Sequence, residues 1–522
     1  MEQEVRQPLT NGQLEIIRRL TTHPKQVMEH VQSQLQHWTA RKEQLAAANE
    51  SYRKLLDPSD LGTIGKLDLF LMEEMLVAAE HVDTEYVKDL SQGFPVTGKL
   101  PDGDCGRPIP GGQRVHGTPG LGGPEPIEAL KEQCYRINMA TLKSAKAKYP
   151  RSQEELDIAE AAWQKTLKDI ESGFAGSPIP VSELNLHENL LVDTFGIYEQ
   201  HAGQCWKVRL INNFRRNKVN QYAWLPSKMA YNNFDELQQA ARELKAGWKG
   251  NLELGKADFK SAFKTLPPAK EHRWLCYSLV YDPRVQDYVV IPIYSQAFGS
   301  IGAVVAWFRT SRLMQVIMEK IFGLLIFCYV DDCFWTAPQF DDQHSPGVSW
   351  ISQVFEYVVT YLLGWKLDPE KSRTGELITL LGLEVSLQAD ASYWKLSTDK
   401  AEQWVEQISH YLAVDRLTPT EASKLSGRVA FLNTHVFGRL GRALLRPIIW
   451  RQIDTTGCTK LTKRLRWSLL WFRKVLHEQW QRKVPYSLDE LKDTVIIYTD
   501  AEANGYIATV MVTSSSRSTP SQ

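Results

Sequence analysis

The stretch FCYVDDCFW, Phe327 to Trp335, sets two aspartates side by side inside an apolar, aromatic run. With Leu324, Leu325 and Ile326 before it, the segment reads as two β-forming runs meeting in a hairpin, with Asp331 and Asp332 at its tip. The plain alternative is an ordinary Asp-containing turn. Two features argue against it. The turn holds no Gly or Asn, which a tight hairpin favours, and Tyr329, Val330, Phe334 and Trp335 crowd the acids with bulk. Adjacent carboxylates in such surroundings repel by roughly 4 kcal/mol at contact distance, for an effective dielectric of about 20. A divalent cation removes that penalty, so the two acids predict a metal and a further acid to complete its site.

The further acid stands upstream. In LELGKADFKSAF, Leu252 to Phe263, alternating residues lead to Asp258 at a strand end, followed by a small-residue break. Taken alone, Asp258 reads equally well as a helix cap. Placed beside the hairpin tip, it completes a set that holds two Mg2+ ions about 3.5–4 Å apart, the arrangement that clamps attacking and leaving oxygens in phosphoryl transfer.

The rest of the chain sets the scale. Its 522 residues, 43% hydrophobic, suffice for three or four modules. The longest central apolar run, IFGLLIFCYV, is too short to cross a bilayer, and the polar start MEQEVRQPLTNGQ is no secretory leader. Seven cysteines without a CxxC spacing point to a reducing compartment and no structural zinc. The expected location is therefore intracellular, cytoplasmic or nuclear, and not secreted or membrane-bound. Net charge is zero but unevenly spread. His201 to Val280 carries 14 Lys/Arg against 6 Asp/Glu, and Asp415 to Lys483 carries 15 against 4. Two basic segments on a neutral chain suggest a polyanionic partner; solvated helix faces are the plainer reading.

Texture divides the chain. Residues 1–180 read as a helical extension, with Pro24 breaking two helical patterns and a Gly/Pro-rich linker near 93–128. From 181 to 393 short β-like runs alternate with helical ones, an α+β texture. Residues 394–490 read as helical. There Ala401, Trp404, Val405, Ile408 and Leu412 form one stripe, and Thr418 with Glu421 makes a capping box followed by Pro419. Residues 491–522 begin as two strands around a turn and end in a polar tail expected to be disordered.

With these motifs in place, the chain resembles reverse transcriptases. ADFKSAF followed by YVDD is similar to their motifs A and C. KVRLINNFRRNKVN resembles the fingers segment, QAFGSIGAVVAWF motif B, LGWKLDPEKS motif D and LLGLEVSL the primer grip. IIYTDAEANGY looks like the first strand of a retroelement ribonuclease H domain. The segment LSGRVAFLNTHVFGRLGRALLRPI is most like the DIRS-like elements that carry a tyrosine recombinase. The resemblance spans about Leu184 to Tyr506, six motifs in register. It implies a right-hand polymerase of fingers, palm and thumb acting as an RNA-directed DNA polymerase, part of a retrotransposon polyprotein. Its partners would be an RNA or DNA template, a DNA primer and dNTPs, with other retroelement proteins beside them.

The resemblance also assigns roles. Asp258, Asp331 and Asp332 would bind two Mg2+ ions, with Mn2+ as a substitute, Asp332 being the weaker contact. Lys207 and Arg209, alternating on one strand, would grip the incoming triphosphate. Phe263 would be a steric gate against a 2′-hydroxyl, selecting dNTPs; a core phenylalanine is the alternative. Phe298 and Gly299 would form the motif B turn beneath the nascent base pair. Lys371 would protonate the leaving pyrophosphate, or be a surface lysine. Gly382 would let the primer grip approach the DNA backbone, and Arg439, Arg442 and Arg446 would contact phosphates. Trp450, Trp467, Trp471 and Trp480 are expected to pack between helices.

Two departures are visible. Asn213 stands where the family has Asp, losing a charge beside the basic fingers residues. The ribonuclease H region stops about twenty residues after Asp500, too short for its remaining acids, so no ribonuclease H activity is expected. A catalytically silent, nucleic-acid-binding relative or pseudogene product is the competing reading, and an RNA-copying RNA polymerase a third, for which Phe263 discriminates.

Overall fold

A computed structural model describes residues 8–114, 123–200, 206–340, 350–437, 441–487, 495–501 and 508–514. The chain is a mixed α+β protein whose organising element is a four-stranded antiparallel sheet. Across it run Arg373–Gly375, Leu252–Asp258, Asp332–Pro338 and Phe327–Tyr329, in that order. Strand alternation divides this sheet's side chains between two cores. Ala257, Cys333, Trp335 and Ala337 face one, and Leu252, Leu254, Phe327 and Phe334 face the other. Both faces are covered, which is why these strands read as near-continuous apolar runs.

The first core is completed by the N-terminal helices, Asn11–Thr22, Pro24–Leu55 and Leu69–Ala78, and by the long helix Ile301–Lys320. Pro24 falls at the first position of its helix, where its missing N–H costs nothing. The helix Ile301–Lys320 is almost wholly buried, capped by Ser300, whose Oγ accepts from the Gly302 N–H at 3.1 Å. Its Arg309, 1% exposed, forks onto Asp83 at 2.7 and 2.9 Å and reaches Asp89 at 2.6 Å. This ties the N-terminal segment into the interior.

The second core is closed by the helix Phe234–Gly247 and by a second antiparallel sheet, ordered Leu377–Leu380, Leu383–Leu387, Ala391–Leu396 and Gln481–Pro485. The helices Thr398–Ala413, Pro419–His435, Arg442–Gln452 and Lys463–His477 complete it. The expected stripe on the first of these faces that core, with Ala401 and Ile408 buried. The expected capping box is present as well: the Thr418 N–H donates to the Glu421 carboxylate at 2.8 Å, and the Glu421 N–H to Thr418 Oγ1 at 3.2 Å. A five-stranded sheet lies beyond, ordered Ile179–Pro180, Asp287–Pro292, Tyr277–Asp282, Leu191–Gln200 and Trp206–Asn212. The helix Gln153–Glu171 packs on it through the fully buried Trp163.

Two expectations need correction. The segment read as a Gly/Pro-rich linker near 93–128 contains the strand Arg107–Arg114, paired antiparallel with Trp224–Lys228 through an irregular register. Its prolines and glycines fit a bulged two-stranded ribbon because only one neighbour asks for its backbone groups. Trp471 packs on Phe437 as expected; Trp480 meets the same ring edge-on but stands 39% exposed, and Trp450 and Trp467 stand 53% and 70% exposed. Near the C-terminus, Val495–Ala501 and Ala508–Ser514 pair as two antiparallel strands. Among the described residues, no helix is long and apolar enough to cross a membrane.

Candidate active site

Asp332 and Asp258 are register partners on adjacent antiparallel strands. Opposed residues project from the same sheet face with Cβ atoms roughly 4.5–5.5 Å apart, so two acids 74 positions apart in sequence become neighbours. Tyr329 pairs with Asp332, leaving Val330 and Asp331 as a two-residue turn. Val330 has φ 58°, a left-handed conformation that is costly for a β-branched residue. The absence of Gly or Asn, noted in the sequence, is therefore a real strain. The fully buried Trp307 holds it: its indole Nε1–H donates to the Val330 carbonyl at 2.9 Å. Trp307 also packs edge-on against Phe259, ring centroids 5.0 Å apart.

A second connection fixes Asp258. Its carbonyl accepts from the Asp368 N–H at 2.8 Å, and the Lys260 N–H donates to the Lys366 carbonyl at 2.8 Å. That contact carries Lys371 to the site, where its ammonium donates to Asp258 Oδ2 at 2.9 Å and lies 3.6 Å from Asp368. Partial burial works against the charge on Lys371, but the bond to Asp258 and the nearby Asp368 outweigh it and raise its pKa. Burial pushes Asp332 up to about 6, with Asp331 and Asp258 adding to the effect. Asp331 is raised too, by burial and then by Asp258. The three carboxyl groups feel one another, and all are hard oxygen donors of the type Mg2+ prefers. The donor set thus fits the ion in chemistry and register. As the side chains stand, no three His, Cys, Asp or Glu among the described residues are gathered into a metal cage, and Lys371 occupies Asp258 instead.

A cleft of about 1160 Å3 opens in front of the acids. Asp258 and Asp332 line it with Arg209, Lys256, Lys371 and Gly382. Lys256 lies two residues before Asp258, hence on the same face; its ammonium donates to the Thr379 carbonyl at 2.7 Å, and burial lowers its pKa. Gly382, φ 89°, and Leu381, φ 47°, form the two-residue turn between Leu380 and Leu383. Both positions require positive φ, as a type I′ hairpin does.

Lys207 and Arg209 are exposed on one face of Trp206–Asn212. Arg209 lines the cleft with Asp258 and Asp332, and its positive charge favours the ionised form of Asp331. Lys207 does not line that cleft. Phe263 sits in the short turn Ala262–Thr265, half-buried, with Phe298 at 6.3 Å and Trp307 at 6.2 Å between ring centroids. Phe298 is 45% exposed. Gly299, φ 105°, is required by the chain's own backbone: a Cβ there would lie 2.5 Å from the Asn212 carbonyl oxygen. Arg442 and Arg446 are exposed on the helix Arg442–Gln452 and do not line the cleft, while Arg439 lies outside the described residues.

Sequence reading missed several residues. Trp307 carried no role, although its indole N–H needed a partner once buried. Lys256 was legible from its spacing to Asp258. The charge lost at Asn213 has a substitute in Asp193, 3% exposed, which accepts from Arg216 Nη1 at 2.9 Å and lies 3.6 Å from Lys148. The Asn213 N–H donates to the Asp193 carbonyl at 3.0 Å, so the two positions are adjacent.

No family model matches the chain, and no curated protein does. Among solved structures, it is similar to the foamy viral protease–reverse transcriptase in complex with double-stranded DNA, at 14% sequence identity and a TM-score of 0.39. That match covers 68% of this chain and 61% of the other, so the chain spans about three fifths of that protein's length.

Proposed function

We propose that this chain is an RNA-directed DNA polymerase of a retroelement, adding dNMP units to a primer 3′-hydroxyl on an RNA or DNA template. The observation that carries the reading is the register of Asp258 opposite Asp332, with Asp331 at the strained turn and a cleft lined by Arg209, Lys256 and Lys371 in front. In this reading the four-stranded sheet is the palm, the five-stranded sheet belongs to the fingers, and the helices after Thr398 form the thumb. Asp258, Asp331 and Asp332 would hold two Mg2+ ions, which lower the pKa of the primer hydroxyl and neutralise the triphosphate when bound. Arg209, on the wall of the same cleft, binds phosphate oxygens through its planar fork. Lys371 holds a proton within reach of the departing pyrophosphate. Phe263, backed by Trp307 and flanked by Phe298, is braced against displacement and excludes a 2′-hydroxyl.

The test is extension of a DNA primer on an RNA template with dNTPs and Mg2+. Incorporation that a chelator abolishes is expected. Retention of template–primer on a filter without incorporation would favour the silent nucleic-acid-binding reading. The Lys371–Asp258 ion pair favours that second reading, because it occupies an acid the metal would need. The gate gives a separate outcome. Phe263→Val, which removes the ring and leaves its backing intact, should lower discrimination against ribonucleotides by about tenfold or more. Unchanged sugar selection in competitive incorporation would exclude Phe263 as the gate.

A further inference from the structure

Cys328 and Cys333 bracket the aspartate turn and stand directly opposite each other on its two strands. Tyr329 and Asp332 close the two-residue turn as a hydrogen-bonded pair, so the next pair outward, Cys328 with Cys333, is of the non-hydrogen-bonded kind. At such positions the Cα atoms approach to about 4.5 Å, within the span that a disulfide bridges. The two Sγ atoms are 2.9 Å apart. Both residues are buried, 2% and 0% exposed, in the core with Ala257 and Trp335 and so on the sheet face opposite Asp332. Both are free thiols, and the metal site uses neither.

We propose that Cys328 and Cys333 are a redox modification site, at which a peroxide-class oxidant forms a cross-strand disulfide that restrains the aspartate turn. In the first step one thiol gives up its proton and its sulfur attacks a peroxide oxygen. The O–O bond breaks, a sulfenic acid forms, and the departing hydroxide leaves with the thiol proton as water. In the second step the other sulfur attacks the sulfenic sulfur, the S–O bond breaks, and hydroxide leaves with the second thiol proton as water. Two thiols are thereby oxidised by two electrons, and hydrogen peroxide is reduced to two waters. The sulfurs need to close only from 2.9 Å to about 2.05 Å, which the opposed strands allow without a change of register. Burial and the neighbouring Cys328 keep Cys333 in its thiol form, so the reaction is slow and answers sustained oxidant. The consequence for the acids rests on the polymerase reading. Among the described residues the carboxylates are not gathered into a metal cage, so loading requires the turn to shift. A ring closed from Cys328 to Cys333 contains Val330, Asp331 and Asp332 and removes that freedom.

Both cysteines fall in one tryptic peptide, Ile321 to Lys366, which holds no other cysteine. The whole folded chain is incubated with hydrogen peroxide in the presence of chelator, alkylated under denaturing conditions, digested and weighed by mass spectrometry. The expected product is that peptide two hydrogens lighter and unalkylated, with both thiols recovered by dithiothreitol. Cys328→Ser and Cys328→Ala should each abolish it, leaving Cys333 alkylated or oxidised without a partner. Complete alkylation of both cysteines after peroxide, or pairing of either with a cysteine outside the peptide, would overturn the proposal. On the polymerase reading, primer extension should fall about tenfold or more on oxidation and recover with dithiothreitol, the scale for reacting groups held off by a fraction of an ångström. Cys328→Ala should keep its extension within about twofold through the same treatment, because no bond forms to misplace the acids. Oxidised protein that extends primers as fast as reduced protein would refute the restraint on the turn. If the disulfide forms and neither state incorporates nucleotide, the thiol site stands and the polymerase reading falls.

Discussion

On the proposed polymerase reading, Asp331→Asn should reduce primer extension by about a thousandfold or more, the scale set by losing a charge that would hold a metal at a reacting phosphate, and should leave template–primer binding intact. Asp332→Asn should reduce extension as well on that reading, and it should make the metal-free protein more stable at neutral pH. The sign follows from the titration. Burial and two neighbouring acids raise Asp332 from 3.8 to about 6, so the folded chain holds that proton more tightly than the unfolded chain. Folding is then undisturbed below the unfolded value, loses stability as pH rises through the interval up to about 6, and carries the whole penalty above it. Asparagine removes the charge and hence the penalty, for a gain of about 1–2 kcal/mol after allowance for solvent screening. Denaturant unfolding with chelator at pH 5 and pH 8 checks this: the variant's advantage should grow with pH. A variant less stable than wild type at pH 8 would mean that the carboxylates are not crowded as their strand register implies.

How far the sequence could be read depended on the range of the interaction. The hairpin is local: alternating apolar residues around the acids set its register, and the site's third acid shares the strand period of its own segment. The capping box at Thr418 and Glu421 and the helix start at Pro24 are equally local, each decided within four residues. Residues 107–114 were not legible, because the strand they pair with, Trp224–Lys228, lies more than a hundred positions away and their Pro/Gly content argues for a loop. The exposure of Trp450 and Trp467 was hidden for the same reason. An aromatic on an amphipathic helix looks like core until a neighbouring helix fails to cover it. The need for a buried indole partner was foreseeable at Trp307, but that the partner would be the Val330 carbonyl was not.

Arg309→Ala should cost about 3–5 kcal/mol, the range for breaking one partner out of a buried ion pair. Arg309 and Asp83 are each 1% exposed as side chains. The guanidinium also lies 5.3 Å from the Phe94 ring and 5.8 Å from the Tyr86 ring, so its removal opens space as well as orphaning Asp83 and part of Asp89. Much of that cost is the uncompensated Asp83 charge, so Arg309→Ala with Asp83→Ala should lose less than the two single variants added together. A double-variant cycle by denaturant unfolding measures the difference; strict additivity would show that the bidentate contact contributes nothing of its own. The cluster bears on the site because the same helix carries Trp307, two positions away, which holds the strained Val330 carbonyl. Arg309 anchors that helix to the N-terminal segment while Trp307 anchors the aspartate turn to the helix. Arg309→Lys, which keeps a charge but not the fork, should therefore fall between wild type and Arg309→Ala in stability.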